Sequence, residues 1–208
     1  MVAIIDYGVG NLFSLCSAFR FLGQEAVVTG DREVIRKADR VLLPGVGAFG
    51  DAMDKLRAAG LYDTVREFAA EGKPLMGVCL GMQMLFEKSE EFGTHKGLGL
   101  LKGSVLPMEP ALRKAGFAYK VPQIGWNSLV FQKPDCPLLR SLKEGDYVYY
   151  VHSFYAADCT DSLAAGSDYG IFVPGVVWKD NVFGTQFHPE KSGSVGLNIL
   201  RAFCEVRL

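Results

Sequence analysis

The sequence predicts an α/β fold in which a mostly parallel central sheet has helices on both faces and additional antiparallel strands. Three observations lead to this prediction. Apolar runs of strand length alternate with helical periodicity in the first part of the chain, glycine-rich turns follow several of these runs, and the later part is richer in valine and aromatic residues. Alternating strands and helices favour parallel strands that are covered on both sides.

The first strand-helix unit begins at the amino terminus. Residues Val2 to Asp6 form an apolar run that ends in a glycine-rich turn, which is typical of a buried strand. Asn11 is placed to cap the following helix, and Gly23 is placed to end it. Between them, apolar residues recur at helical spacing: Leu12, Leu15, Cys16, Phe19 and Leu22.

The same alternation continues through the next fifty residues. Three further strands are predicted, at Ala26 to Thr29, Arg40 to Leu43, and Pro74 to Val78. The predicted helices between them are Asp31 to Ala38, Asp51 to Ala59, and Leu61 to Glu71, the last two separated by Gly60. Another helix is expected directly after Cys79.

The second half is predicted to be rich in strands and partly antiparallel. The strand-forming runs are Val121 to Phe131, Tyr147 to Tyr155, and Phe172 to Phe187, with a turn at Asp180-Asn181. A closing helix is expected from Ser192 to Arg207, with the Ser192 hydroxyl as its cap. No linker or repeat divides the chain, so we expect residues 1–208 to form a single domain.

Composition excludes several classes of function. The formal net charge is −1 and the charges are interspersed, which argues against a nucleic-acid binder. The amino terminus has neither a basic start nor a long apolar stretch, and no segment approaches eighteen uninterrupted apolar residues, so neither secretion nor membrane spanning is expected. Small molecules and protein surfaces remain as partners.

The five cysteines are scattered and form no C-x-x-C pair: Cys16, Cys79, Cys136, Cys159 and Cys204. Neither a disulfide framework nor a metal site is therefore predicted, and a reducing cytoplasm fits this pattern best. A free cysteine is usually a small buried hydrophobe, and only its surroundings can make it a nucleophile.

Cys79 has such surroundings. In Gly77-Val78-Cys79-Leu80-Gly81, the cysteine lies between an apolar strand and a helix, with a glycine two residues away on each side. This is the pattern of a nucleophile elbow, in which small flanking residues permit a sharp, strained turn. The positive end of the helix dipole would favour the thiolate. A buried core cysteine between two packing glycines is the alternative interpretation.

A candidate base lies near the other end of the chain, in Phe187-His188-Pro189-Glu190. Side chains two apart in an extended segment project to the same side, so Glu190 could orient His188. His188 could then act as general acid toward a leaving amine and as general base for water. The alternative is a structural histidine beside a solvated carboxylate. His95 is expected in a surface loop, and His152 in a packing or backbone-positioning role.

Acyl transfer also needs donors for an oxyanion. The backbone N–H of Leu80 follows the nucleophile at a helix start and is placed for this role. Pro44-Gly45-Val46-Gly47 follows a neighbouring predicted strand, and its glycines would let a backbone N–H from Val46 or Gly47 turn toward the same oxygen. A simple turn between strand and helix is the alternative.

Three motifs in this order resemble the triad-type class I glutamine amidotransferases: P-G-V-G at 44–47, G-V-C-L-G-M-Q at 77–83, and T-Q-F-H-P-E at 185–190. Within that family, four more segments are similar to the glutaminase subunits of imidazole glycerol phosphate synthases: I-I-D-Y-G-V-G-N at 4–11, P-Q-I-G-W-N at 122–127, V-H-S-F-Y at 151–155, and H-P-E-K-S-G at 188–193. Gln123 departs from the histidine expected there in many relatives. The resemblance spans essentially the whole chain.

The resemblance implies a heterodimer without a cofactor. Its chemistry would be hydrolysis of L-glutamine by Cys79, His188 and Glu190, with ammonia passing to a (β/α)₈-barrel cyclase subunit in histidine biosynthesis. It also implies contacts with the substrate from Gln83, the Gly47 backbone, Glu91 and Ser153. Trp126, Asn127 and Lys191 are the candidates for the surface that faces the partner.

Three alternatives stay open on the sequence alone. The chain could be the amidotransferase subunit of anthranilate or aminodeoxychorismate synthase, which would share the same three catalytic candidates. It could be a γ-glutamyl hydrolase or another cysteine hydrolase without an ammonia acceptor. It could also be a catalytically silent subunit that uses this fold only for binding.

Overall fold

A computed structural model describes residues 1–207, and an eight-stranded sheet forms its centre. Five neighbouring strands are parallel, in the order β2 (Ala26–Thr29), β1 (Val2–Ile5), β3 (Arg40–Leu43), β4 (Leu75–Val78) and β14 (Val182–Thr185). Three antiparallel strands extend the sheet beyond β14: β13 (Phe172–Lys179), β12 (Leu163–Asp168) and β9 (Val130–Phe131). The predicted fold class is confirmed.

Helices cover both faces of this sheet. Their bounds are α1 (Leu12–Phe21), α2 (Arg32–Lys37), α3 (Phe49–Ala58), α4 (Tyr62–Ala70), α5 (Leu80–Gln83), α6 (Met108–Lys114) and α7 (Gly193–Glu205). Side chains alternate between the faces along β1, as the two-residue period of a strand requires. Ala3 and Ile5 pack into the core formed with α2, α3 and α4, whereas Val2 and Ile4 pack into the core formed with α1, α6 and α7.

Side-chain caps and a glycine mark the boundaries of the first two helices. The Asn11 side chain accepts a hydrogen bond from the Ser14 N–H at the start of α1, and Gly23 follows that helix with a φ of 66°. The Asp31 carboxylate caps α2 by accepting from the N–H groups of Glu33 and Val34. Side-chain oxygens thus satisfy donors that have no partner within a helix.

Two smaller sheets lie beside the central one. The first is an antiparallel pair, β8 (Gln123–Ser128) with β10 (Tyr147–His152). The second has the order β11 (Phe154–Ala157), β7 (Leu101–Pro107), β5 (Phe86–Ser89) and β6 (His95–Lys96). His95 therefore lies in a short strand, and the prediction of a surface loop at that residue is wrong.

Each predicted run in the second half divides into two strands. Tyr147 to Tyr155 breaks at Ser153, because β10 and β11 belong to different sheets. Val121 to Phe131 contributes β8 to the small pair and β9 to the edge of the large sheet. The run Phe172 to Phe187 is a hairpin that turns at Asp180, whose φ is 52°.

The helix predicted directly after Cys79 is present but short, from Leu80 to Gln83, because the chain soon enters β5. The cap predicted for the last helix is wrong in detail. Ser192 precedes α7, but its hydroxyl makes no capping hydrogen bond to that helix and bonds elsewhere.

Truncation of one buried side chain on β14 should test this packing. Phe183 on β14 is fully buried against Phe203 of α7, at a ring-centroid distance of 6.2 Å. Phe183→Ala should lower the free energy of unfolding by about 3–5 kcal/mol, because it removes buried apolar contacts and leaves a cavity. Urea denaturation followed by circular dichroism measures the change.

Phe21→Ala is the matched control, since Phe21 is 77% exposed at the end of α1. Its effect should stay within about 0.5 kcal/mol. Equal losses of stability in the two variants would contradict the described core.

Candidate active site

Cys79 lies at a sharp corner between β4 and α5. Its backbone has φ 55° and ψ −114°, and its N–H donates to the carbonyl oxygen of Thr185 on β14 at 2.7 Å. A positive φ is strained for a residue with a side chain, and such strain persists only where the surroundings enforce it. The corner therefore has the geometry of a nucleophile elbow.

The glycines around this corner are required by close packing. A Cβ atom at Gly77 would lie 2.5 Å from the carbonyl oxygen of Gly81, and one at Gly45 would lie 2.6 Å from the Gly81 nitrogen. A Cβ at Gly81 would collide with the carbonyl oxygen of Leu43 on β3. Larger residues do not fit at these positions. The glycines therefore allow the loop after β3 to pack directly against the elbow.

His188 lies just beyond the end of β14, beside Cys79. A 3₁₀ turn over Pro189–Lys191 brings the Glu190 carboxylate back to the imidazole, where Oε1 lies 2.9 Å from Nδ1. The carboxylate can only accept, so Nδ1–H donates to it. Nε2 is then left to interact with Cys79. The three predicted catalytic residues thus form one row, with the His188 imidazole between Cys79 and Glu190.

The surroundings of His188 favour its protonated form. Burial works to lower the pKa of His188, but hydrogen bonds and negative charge from Cys79 and Glu190 outweigh it, and they raise the pKa from 6.5 to about 9. The side chains of His188 and Glu190 are only 5% and 1% exposed. An imidazolium and a carboxylate that are buried together can compensate for each other's loss of water.

A cavity of about 490 Å³ opens in front of Cys79. Its volume lies in the range of small-molecule sites. It contains the predicted oxyanion-hole and substrate-binding residues and also the partner-face candidate Lys191, whereas Trp126 and Asn127 lie elsewhere, on β8. The lining residues are Val46, Gly47, Cys79, Leu80, Gln83, Glu91, Phe92, Pro122, Val151, His152, Ser153, Phe154, His188 and Lys191.

The backbone near Cys79 supplies the groups expected for an oxyanion hole. Leu80 is the first residue of α5, and the N–H groups of a first helical turn have no partner within the helix. Gly47 has a φ of 91°, and both Val46 and Gly47 reach the cavity wall. Their role as oxyanion donors stays a prediction.

Gln83 and Glu91 are held by the protein itself. Both Nε2 protons of Gln83 have acceptors, the Phe154 carbonyl oxygen at 2.9 Å and the Gln186 Oε1 at 2.9 Å. The amide oxygen of Gln83 therefore remains as the atom that could contact a ligand. Glu91 Oε2 accepts from the Phe49 N–H at 2.6 Å. Burial raises the pKa of Glu91, and that hydrogen bond opposes the rise.

Two residues near the thiol were not predicted as part of the site. Gln186 is fully buried, and its Nε2 lies 3.9 Å from Cys79 Sγ. His152 lines the cavity and has ring nitrogens 2.7 Å from the Phe154 carbonyl oxygen and 2.9 Å from Gln123 Oε1. Burial lowers the pKa of His152 to about 4, so its imidazole is neutral at neutral pH. Its contacts fit the backbone-positioning role predicted for it.

Residues 1–207 contain no group of three or more His, Cys, Asp or Glu residues arranged to hold a metal ion. Over the same residues, no helix combines the length and the apolar character needed to cross a membrane.

The two histidines of the cavity should titrate far apart. Nuclear magnetic resonance of imidazole-labelled protein should show a pKa of about 9 for His188 and about 4 for His152. Glu190→Gln removes the carboxylate that favours the imidazolium, so the pKa of His188 should fall toward or below its ordinary value while that of His152 stays low. A pKa of His188 below 7 in the unaltered protein would contradict the described row of residues.

Comparisons with known proteins agree with this geometry. The family profile described as glutamine amidotransferase class-I matches residues 3–206. A Bacillus cereus protein named imidazole glycerol phosphate synthase subunit HisH is 51% identical over 204 residues, which cover 98% of this chain and 93% of that protein. A protein of the same name from Wolinella succinogenes is 49% identical over 207 residues, covering 99% and 100% of the two chains.

Solved structures share the fold at low sequence identity. One described as a glutamine amidotransferase has a TM-score of 0.75 and 20% identity, covering 99% of this chain and 98% of that chain. PurLQS from Thermotoga maritima has a TM-score of 0.72 and 19% identity, with 98% and 96% covered. With the family profile spanning nearly every residue, the chain belongs to the class I glutamine amidotransferases.

Proposed function

We propose that the chain is the glutaminase subunit of an imidazole glycerol phosphate synthase. It hydrolyses L-glutamine to L-glutamate and delivers the ammonia to a (β/α)₈-barrel cyclase subunit. That subunit makes imidazole glycerol phosphate and aminoimidazole carboxamide ribotide in histidine biosynthesis. The row of Cys79, His188 and Glu190 at the cavity of about 490 Å³ carries the chemical part of this proposal.

The first half of the reaction forms a thioester. The Cys79 thiolate attacks the side-chain amide carbon of glutamine, and the carbonyl oxygen becomes an oxyanion that accepts hydrogen bonds from the backbone of Leu80 and of Val46 or Gly47. The His188 imidazolium gives its proton to the amide nitrogen as the C–N bond breaks. Ammonia leaves, and the glutamyl group remains on sulfur.

The second half uses the neutral imidazole that the first half produced. His188 takes a proton from water, and the hydroxide attacks the thioester carbon. When the C–S bond breaks, glutamate is released, the Cys79 thiolate leaves with the electron pair, and His188 is again an imidazolium. Glu190 keeps the ring in the tautomer and orientation that both halves require.

The proposed glutamine contacts all line the cavity in front of the thiol. Gln83 and the Gly47 backbone flank the elbow, whereas Glu91 and Ser153 come from other parts of the cavity wall. We assign Glu91 and Ser153 to the amino-acid end of the substrate, as the family resemblance implies. A carboxylate such as Glu91 suits an ammonium group.

The acceptor subunit is proposed from the relatives' names and from the surface. The relatives that are about half identical to this chain are each named as a synthase subunit. We place Trp126, Asn127 and Lys191 on the side that faces the cyclase. Trp126 is 52% exposed and packs edge-on against Tyr149 at 5.9 Å, so it presents the kind of aromatic surface that interfaces favour.

Two broader expectations belong to the same proposal. Residues 1–208 would act as one glutaminase domain, because both halves of the chain contribute to one cavity. The five cysteines are unpaired in the structure, and a reducing cytoplasm stays the predicted location.

The alternatives differ in what they require of this site. An anthranilate or aminodeoxychorismate synthase subunit would use the same thiol with another acceptor, and the high identity to synthase subunits named HisH supports the histidine pathway over it. A hydrolase without an acceptor would turn over fully as an isolated chain. For a silent subunit, a strained cysteine beside a buried imidazole would have no purpose.

Removal of the thiol tests the proposal in the reconstituted complex. Cys79→Ala should lower glutamine-driven synthesis of imidazole glycerol phosphate by at least about 10³-fold, because no thioester can form. Synthesis from added ammonium salt should survive, since the cyclase itself is unchanged. Product formation from the nucleotide intermediate is measured with each nitrogen source.

Cys16→Ala is the matched control, because Cys16 lies half-buried on α1 and outside the cavity. It should leave both rates unchanged. Loss of the ammonium-driven rate in Cys79→Ala, or failure of the unaltered complex to use glutamine, would overturn the proposed function.

A further inference from the structure

The backbone of His188 meets strand β10 in an unusual way. In an antiparallel pair of the hydrogen-bonded kind, two opposing residues exchange both of their N–H···O bonds. His188 and Tyr149 make only the first of these bonds directly, from the His188 N–H to the Tyr149 carbonyl oxygen at 3.1 Å. The second is interrupted by a side chain.

The Ser192 hydroxyl occupies that second connection. The Tyr149 N–H donates to Ser192 Oγ at 3.0 Å, and the Ser192 hydroxyl donates to the His188 carbonyl oxygen at 2.7 Å. One hydroxyl thus accepts from strand β10 and donates to the segment that contains His188, as its bonding capacity allows. Three hydrogen bonds therefore join His188 to β10. One is direct, and the other two meet at the Ser192 hydroxyl oxygen, which acts as a spacer between the two backbones.

Helix capping does not explain this serine. Ser192 is the residue before α7 and is 1% exposed, yet its side chain makes no hydrogen bond to the first turn of that helix. Serine at this position usually bonds the N–H of the second or third helical residue. Here the hydroxyl turns back toward the histidine four residues earlier.

The turn that contains Glu190 is closed by the same residue. The Lys191 N–H donates to the His188 carbonyl oxygen at 3.0 Å, and the Ser192 N–H donates to that of Pro189 at 3.1 Å. Backbone bonds fold the turn so that Glu190 reaches His188 Nδ1, and the hydroxyl fixes the whole turn against β10. The place of the imidazole relative to Cys79 on the central sheet follows from that attachment.

We propose that Ser192 is a positioning residue for glutamine hydrolysis, whose hydroxyl spacer between Tyr149 and His188 presents the imidazole to Cys79. The inference rests on the proposed function. Without the hydroxyl, the partly buried Tyr149 N–H lacks its acceptor, and a direct bond to the His188 carbonyl oxygen would draw His188 toward β10. Displacements of about 1 Å in a catalytic group can cost about 100-fold in rate.

The test compares three variants in complex with the barrel subunit. Ser192→Ala removes the spacer, Ser192→Thr keeps a hydroxyl, and Ser194→Ala is the control on an exposed serine two residues later. We expect Ser192→Ala to lower kcat for glutamine hydrolysis by about 10- to 100-fold with KM within about threefold. Ser192→Thr should recover part of the rate, and Ser194→Ala should match the unaltered complex.

The pH profile separates positioning from a general loss of stability. Weaker contact of His188 with Cys79 and Glu190 lowers the pKa of His188 from about 9, so the alkaline limb of kcat should move to lower pH in Ser192→Ala. A kcat equal to that of the unaltered complex would overturn the inference. The inference would also be overturned if kcat fell only in proportion to the folded fraction measured by circular dichroism and the pH profile did not move.

Alkylation of the isolated chain keeps the two proposals distinguishable. The rate at which iodoacetamide modifies Cys79 depends on His188 whether or not glutamine is the substrate. Slower alkylation in Ser192→Ala, but not in Ser194→Ala, supports the positioning role even if the unaltered complex fails to hydrolyse glutamine and the proposed function falls. Equal alkylation rates in the two variants would overturn the positioning role alone.

Discussion

The parallel pairing of β4 with β14 is the constraint on which the site depends. Strands that run side by side in the same direction end at the same edge of a sheet. Here Cys79 directly follows β4, and His188 lies three residues beyond the end of β14. The hydrogen bond from the Cys79 N–H to the Thr185 carbonyl oxygen fixes the register at that edge. A thiol and an imidazole that are far apart in sequence are thereby brought to the same cavity, close enough to interact.

Rigid packing behind this edge supports the strained backbone at Cys79. The loop after β3 presses against α5 so closely that neither Gly45 nor Gly81 can carry a side chain. Strain of this kind is tolerated only where the surrounding core over-determines the conformation. The two apolar cores on opposite faces of the sheet provide that support, and the cavity itself lies at their common edge.

The sequence predicts the parallel half of the fold well, because periodicity, caps and glycine turns all agree there. It predicts less of the second half. The strands β5, β6, β7 and β12 and the helix α6 were not predicted. Strand β12 contains Ala165 and Gly166, which have low strand propensity, and the close approach of the Phe172 ring at Gly166 is a tertiary contact.

The candidate site, too, is only partly predictable from the sequence. Cys79, His188 and Glu190 stand in short motifs whose chemistry can be inferred locally. Gln186 and Ser192 acquire their contacts only when β10 and the helix α5 are placed beside the end of β14. No spacing rule could predict a hydroxyl that bridges β10 and the backbone of His188.

Labelling with a glutamine-mimicking electrophile tests the central claim most directly, because it reads out whether the elbow holds a reactive thiolate within a glutamine-shaped cavity. Peptide mapping should find modification at Cys79, suppressed by excess glutamine, while Cys16, Cys136, Cys159 and Cys204 remain unmodified. Equal modification of all five cysteines, without protection by glutamine, would contradict the account.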